Sequence, residues 1–527
     1  MQSRAIKTIA AAALLLAGLG ACTDITTEPK STITGTNIFN DTGSYRSFLA
    51  KLYAGLAVSG QQGPSGAGDI EGIDEGFSQY LRLIWQMQEL PTDEAIIAWQ
   101  DAGLPELNTQ LWSPSNPFLG AMYYRIFFQV SQANEFLRET TDEKLQSRGV
   151  SASLRADIQQ YRAEARYLRA LSYWHGIDLF GSIPLVRETD PINSAPPRQA
   201  TRKELFDYAV AELVAVRDAL PVSPQYGRAG RAAADMLLAK LYLNAQVYTG
   251  ENRFADARTA AERAIAGPYQ LDDRYRDIFL ADNNTSPEII FPITQDGTNT
   301  RTFGGMTFLA HASVGGNVMN AADYGLNGGW WGLRVRPQLV ALYPAAGPAS
   351  PDRRSAYFFA QGQSLQIGSI SDFTNGYAAP KYQNVTSAGM PGSNSEFVDI
   401  DFPMFRLADA YLMYAEAVLR GGGGSRAQAL TYVNALRQRA YGNASGNITD
   451  AQLTLDFILA ERARELMWEG HRRTDLIRFD RFTDNGLWAW KGNVQAGRTT
   501  EAYRDVYPLP ASELTANPNL TQNQGYN

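Results

Sequence analysis

The stretch LRADIQQYRAEARYLRALSYWHGIDLF, residues 154–180, sets Leu154, Ile158, Tyr161, Ala165 and Leu168 at alternating spacings of four and three. On a backbone with 3.6 residues per turn those positions share one face, so the pattern predicts a long amphipathic helix. Gly181 follows at its end and Pro184 lies just beyond, as expected where a helix stops. The same reading extends to both sides. Upstream, YYRIFFQVSQANEFLRET (123–140) carries Ile126, Val130, Ala133 and Leu137 on one stripe. Downstream, Thr201 and Glu204 form a capping box for a helix with the stripe Leu205, Ala209, Leu213 and Val216, closed by Pro221.

A fourth helix is predicted over roughly 229–248 and, after TGEN, a fifth carrying Ala257, Ala261 and Ala264. Small residues on facing stripes let two helices approach closely. Phe254 and Ala257 before that alanine series follow the offsets of a tetratricopeptide unit. A further pair, about 404–420 and 426–440, hinges on GGGGS (421–425), and a helix over about 452–468 has Thr449 and Gln452 as its capping box. The expected fold is mainly α: tetratricopeptide-like helix pairs in an α-solenoid-like scaffold. Residues 60–118 and 280–402 break the pattern, being rich in Gly, Pro, Asn, Ser and aromatics. Irregular segments of that length are usually functional.

Composition narrows the function. The chain has 527 residues, 44% apolar and 19% charged, with a formal net charge of −7. That balance argues against a nucleic-acid partner, which needs a concentrated basic surface. The densest arginine run, ERARELMWEGHRRTDLIRFDRF (461–482), alternates with Glu461, Glu465, Glu469, Asp475 and Asp480, and reads as a helix face laced with ion pairs. At the N-terminus Arg4 and Lys7 precede the apolar run 8–19, about the length of a secretory signal core. The motif Leu19-Gly20-Ala21-Cys22 then resembles a bacterial lipobox, and Cys22 is the sole cysteine. Lipidation at Cys22 is expected, with residues 1–21 as signal peptide and 22–40 as a flexible tether. One cysteine also rules out an internal disulfide.

Catalytic motifs are missing. There is no phosphate-binding Walker loop, no G-x-S-x-G and no H-E-x-x-H. His175, His311 and His471 are isolated from one another and read as structural. No metal site and no cofactor are expected, although carbonyl-rich loops can hold calcium without a motif. Asp399 and Asp401 alternate, as a glycosidase pair could, but turn and capping roles ahead of a helix beginning near Met404 suit them better. The aromatic loops carry more information. Trp330 and Trp331 are adjacent and cannot both enter one core from a single face, so at least one indole is expected at a surface. A pyranose has an apolar C–H face that stacks on an indole. Removing roughly 50–80 Å² from water contributes about 1–2 kcal/mol per sugar.

YRAEARYLRALSYWHGIDLFGSIPLV (161–186), FPMFRLADAYLMYAEAVLRGG (402–422), LDFILAERARELMWEGHRRTDLIRFDRF (455–482) and YPLPASELTANPNLTQNQGY (507–526) together resemble the SusD/RagB-type outer-membrane lipoproteins. The resemblance implies four tetratricopeptide-like helix pairs with loop-rich segments on one side, divided as 41–279 and 280–527 and packed as one unit. It implies a lipid-anchored protein on the cell-surface side of the outer membrane, partnered with a SusC-like TonB-dependent transporter. Such a protein binds an oligosaccharide, or in some branches a peptide, without cleaving it. By position, Trp99, Trp330 and Trp331 are the expected ligand contacts, with Trp112, Asp101, Tyr324 and Asn327 added by proximity. A secreted glycoside hydrolase and a pure assembly scaffold are the competing readings.

Overall fold

The structure is a computed structural model that describes Phe39, residues 41–192 and residues 195–526. The signal peptide, Cys22 and the tether up to residue 38 lie outside the described residues. Tyr45–Asn527 form one unit by their internal contacts. Its longer elements in chain order are α1 (Ser44–Ala57), α2 (Tyr80–Glu89), β1 (Ala95–Ile97), α3 (Pro117–Glu139), α4 (Ala152–Phe180), α5 (Arg202–Val216), α6 (Arg231–Leu243), α7 (Phe254–Ile265), β2 (Ile289–Ile293), α8 (Gly305–Ala312), β3 (Leu333–Val335), β4 (Phe402–Arg406), α9 (Leu407–Leu419), α10 (Arg426–Tyr441), α11 (Leu455–Glu465) and α12 (Arg472–Arg478).

The helices pack in a row. α3 lies on α4, α4 on α5, α6 on α7, α7 on α9, and α9 on α10. Alanines make the α6–α7 contact close: Ala233, Ala257, Ala261 and Ala264 are all fully buried. Capping follows the local sequence. Ser151 accepts from Leu154 N at the start of α4, and the Thr201–Glu204 capping box opens α5.

Several boundaries differ from the sequence reading. The helix expected over 229–248 is broken at Asn244, whose side chain bonds the Lys240 carbonyl at 2.8 Å and receives Arg478 Nη1 at 2.9 Å. The Thr449–Gln452 capping box exists but serves one 3₁₀ turn; α11 starts later, with Thr454 as its cap. The helix expected from about 404 begins only at Leu407, because residues 402–406 form β4, paired antiparallel with β2. Region 60–118 is not irregular throughout, because it contains α2. Every residue of α2 is buried, including the polar stripe Arg82, Gln86 and Glu89 opposite its apolar face.

The ion pairs of 461–482 form, but inside the molecule rather than along a solvated face. Arg406 binds Glu288 and Glu465 at 2.7 Å and Glu469 at 2.6 Å, all four side chains being essentially without solvent exposure. Arg354 binds Asp352, Glu461 and Glu465 at 2.7–3.0 Å. A second cluster links Lys240 to Asp409, Arg462 to Asp409 and Asp475, and Arg478 to Glu416. Charges this deep are tolerable only when each is paired. The network ties α11 and α12 to α6, α9 and the segment before β4.

One small pairing places the two aromatic regions side by side. β1 and β3 run antiparallel, with Ala95 opposite Val335 and Ile97 opposite Leu333. Ala98 N then donates to Gly332 O at 2.9 Å, continuing the ladder. Trp99 is thereby set beside Trp330 and Trp331 although 231 residues separate the first two. Among the described residues no helix is long and apolar enough to cross a membrane.

Candidate functional site

The turn before β3 is held from behind by the end of α8. Trp330 N donates to His311 O at 2.8 Å, Trp331 N to Val314 O at 3.0 Å, and Gly332 N to Ala312 O at 2.9 Å. Glycine is needed at two places here. A Cβ on Gly329 would sit 2.4 Å from Val314 O, and one on Gly315 would sit 2.4 Å from the Trp331 ring. The Trp331 indole thus lies against bare backbone. Trp331 adopts a left-handed backbone conformation, φ 56°, uncommon for a large side chain and worth about 1–3 kcal/mol of strain. Its side chain is 50% exposed, one of the few large apolar groups left in water. A strained aromatic residue held open to solvent fits a ligand-facing role better than a packing role.

Trp330 points the other way. It stacks on His311 with centroids 4.6 Å apart and planes 20° apart, and tilts against Trp99 and Phe303 at 6.3 Å each. Trp99 is half-buried; its Nε1 donates to Trp330 O at 3.0 Å and its ring meets Phe308 edge-on at 5.7 Å. The adjacency argument from the sequence therefore resolves as one indole inward and one outward.

Arg82 of α2 sits beneath this cluster. Its guanidinium carbon is 4.1 Å from the Phe308 centroid, 4.3 Å from Phe77 and 5.5 Å from Trp99. One nitrogen donates to Phe303 O at 3.3 Å, while Nε and Nη2 are buried without a hydrogen-bond partner. Burial pushes Arg82 down to about 9, opposed by the nearby charges of Asp74, Asp101 and Glu75. The sequence reading missed Arg82 and Asp74. An arginine within the otherwise apolar run YLRLIW was the available signal.

The remaining expected residues divide. Asp101 is exposed, and its carboxylate acts on Arg82 electrostatically. Asn327 is exposed in the same turn as the tryptophans, its N–H donating to Ser395 O at 2.9 Å. Tyr324 is half-buried against the core, and its carbonyl accepts from Asn384 N at 2.9 Å. Trp112 is corrected: it is 3% exposed, its ring packs 4.5 Å from Tyr507, and its Nε1 donates to the Tyr526 hydroxyl at 2.7 Å. Its indole and N–H are both satisfied internally, so it has no face for a ligand.

The carboxylate pair is also occupied. Asp399 accepts from Gly297 N, Ser393 N and Ser393 Oγ at 2.5–2.8 Å. Asp401 accepts from Gln295 N at 2.7 Å and Tyr226 Oη at 2.6 Å, and burial pushes it up to about 6. Both brace loops. Clefts exist away from the indoles, one of about 550 Å³ beside Arg138, Arg187 and Arg198 and one of about 320 Å³ beside Tyr53 and Tyr226. The indole surface is an open platform instead, as stacking on a flat ring requires. Among the described residues no group of three or more His, Cys, Asp or Glu could hold a metal ion.

Comparison with known proteins agrees with this architecture. Residues 353–526 match the SusD family. The starch-binding protein SusD of Bacteroides thetaiotaomicron is 34% identical over the whole of both chains. SusD-like protein P25 of Formosa agariphila is 26% identical over 72% of this chain and 74% of its own. A SusD homolog from Bacteroides thetaiotaomicron superposes with a TM-score of 0.72 at 19% identity, covering 93% of this chain and 98% of that one. Surface glycan-binding protein A from the same organism, solved with laminarihexaose, superposes with a TM-score of 0.69 at 21% identity, covering 91% and 98%. The full-length identity, the matching C-terminal third and the shared helical architecture lead to one conclusion: this chain belongs to the SusD family.

Proposed function

We propose that this protein is a non-catalytic, surface-anchored glycan-binding lipoprotein that stacks an oligosaccharide on Trp331. Trp99, Trp330 and Arg82 support that platform, and Asp101 and Asn327 supply polar contacts at its rim. The observation that carries the reading is the half-exposed Trp331, held in a strained turn with its back against Gly315. The names of the similar proteins, a starch-binding protein and a surface glycan-binding protein, point to the same ligand class. Lipidation at Cys22 anchors the chain at the outer surface of the outer membrane, and a SusC-like TonB-dependent transporter receives the glycan. Stacking alone gives millimolar-to-micromolar affinity, suited to capture and release.

Isothermal titration of the purified protein against starch-type α-glucan oligosaccharides, laminarin oligosaccharides and peptides tests this. One glycan class should bind, be recovered uncleaved, and bind about tenfold more weakly to Trp331→Ala. Binding of peptides only would move the protein to a peptide-binding branch. Turnover of the oligosaccharide would establish the hydrolase reading instead.

A further inference from the structure

Both ring nitrogens of His311 face backbone carbonyl oxygens. Nδ1 lies 2.7 Å from Gly328 O and Nε2 lies 3.0 Å from Glu396 O. A carbonyl only accepts, so two such contacts call for two N–H groups. A neutral imidazole carries one, an imidazolium two. The residue has no solvent exposure that would let water replace the missing donor.

The two carbonyls belong to different loops. Gly328 lies in the turn that presents Trp330 and Trp331, and Glu396 lies in the loop that also receives Asn327 N at Ser395 O. The same imidazole stacks flat on Trp330, and His311 O accepts the Trp330 N–H. One residue therefore touches the turn by ring face, ring nitrogen and backbone, and its ring staples the turn to a second loop.

We propose that His311 is the positioning residue of the indole platform: as an imidazolium it donates to both carbonyls and fixes the Trp330–Trp331 turn, and as a neutral ring it releases one of them. The charged neighbours on each side are few. The Glu396 carboxylate favours the charged ring, as does the face of Trp330. Two guanidinium groups lie on the elements packed around it, Arg82 against Phe308 of the same helix and Arg301 over Phe397 at 5.6 Å. Burial, the largest influence, pushes the ring below its ordinary value against the pull of the two carbonyls. The second proton accordingly arrives on acidification, and the platform tightens as pH falls. The ligand part rests on the glycan-binding reading above; the link between ring and turn does not.

The protein has three histidines, so selective ¹⁵N-histidine labelling can follow each ring from pH 8 to 4.5. Tryptophan emission is recorded on the same samples. Oligosaccharide affinity is measured at both pH extremes for the native protein and for His311→Gln, whose amide has a single donor nitrogen and does not titrate. His311 should gain a second N–H with the same midpoint as a change in indole emission. Affinity should rise about three- to tenfold towards low pH in the native protein and stay level in the variant. A ring that never carries two protons, a titration that leaves indole emission unchanged, or a variant keeping the native pH profile would overturn the proposal. If no oligosaccharide binds at any pH the glycan reading fails, and the ring and indole signals still decide the role of His311 without any variant.

Discussion

The interior around Arg406 and the surface around Trp331 use opposite chemistry to hold their shape. Around Arg406, guanidinium and carboxylate groups are packed without water, and each of those charges has a partner within about 3 Å. Around Trp331 the partners are rings and backbone carbonyls: buried Arg334 donates to Gly332 O, and buried Arg82 leaves two nitrogens unbonded. The first arrangement is unforgiving, because removing one member leaves a buried excess of the opposite charge. The second is open, with an exposed face whose removal takes away little packing. Stability and recognition therefore sit in different parts of the molecule and should separate under mutation.

The sharpest break of that comparison is Arg406→Ala. It removes the cation shared by Glu288, Glu465 and Glu469, which are left with Arg439, Arg354 and Lys381, at a cost of about 3–5 kcal/mol in chemical denaturation. Oligosaccharide affinity per folded molecule should hold at temperatures where the variant is native. A loss of affinity there would show that the two regions are coupled.

Glu89 tests the interior in a different way. It accepts Gly470 N and His471 N on one oxygen, its other oxygen has no partner, and burial pushes it up to about 8. Its pKa is higher folded than unfolded, so its contribution is full below about 4.5 and is lost as pH rises towards 8. Glu89→Gln keeps the accepting oxygen and removes the charge. Stability measured from pH 5 to 8 should flatten, with a gain on the order of 1–3 kcal/mol at pH 8 and little change at pH 5. A variant less stable than the native protein at pH 8 would mean that the charge is required there.

Smaller again is Trp331→Ala, expected to weaken glycan binding by about 1–2 kcal/mol while shifting unfolding free energy by less than about 1 kcal/mol. A large stability loss with unchanged affinity would return that indole to a packing role. The mildest change is Trp112→Phe. It removes the hydrogen bond to Tyr526, costs about 1 kcal/mol of stability and leaves titration with oligosaccharide unaltered.

The sequence by itself determined the scaffold. Stripes at spacings of three and four, caps such as Thr201–Glu204 and small residues at Ala257, Ala261 and Ala264 are local signals, and a helix is a local structure. That is why α3, α4, α5 and α7 match the reading within a few residues, while the short α2 is masked by the Gly- and Pro-rich sequence on either side of it. Adjacency in the chain also showed that one of Trp330 and Trp331 had to face outward, because that too is a local constraint. Which indole it would be was decided by the end of α8 and the residues just after it, whose carbonyls at His311, Ala312 and Val314 grip the turn. Trp112 was misread because the partners that bury it, Tyr507 and Tyr526, come from the far end of the chain. Arg82, Trp99 and Trp331 meet only through the pairing of β1 with β3, two strands of three residues each. Contacts between segments hundreds of residues apart leave no periodicity in the sequence, so the tertiary structure alone could assemble the platform.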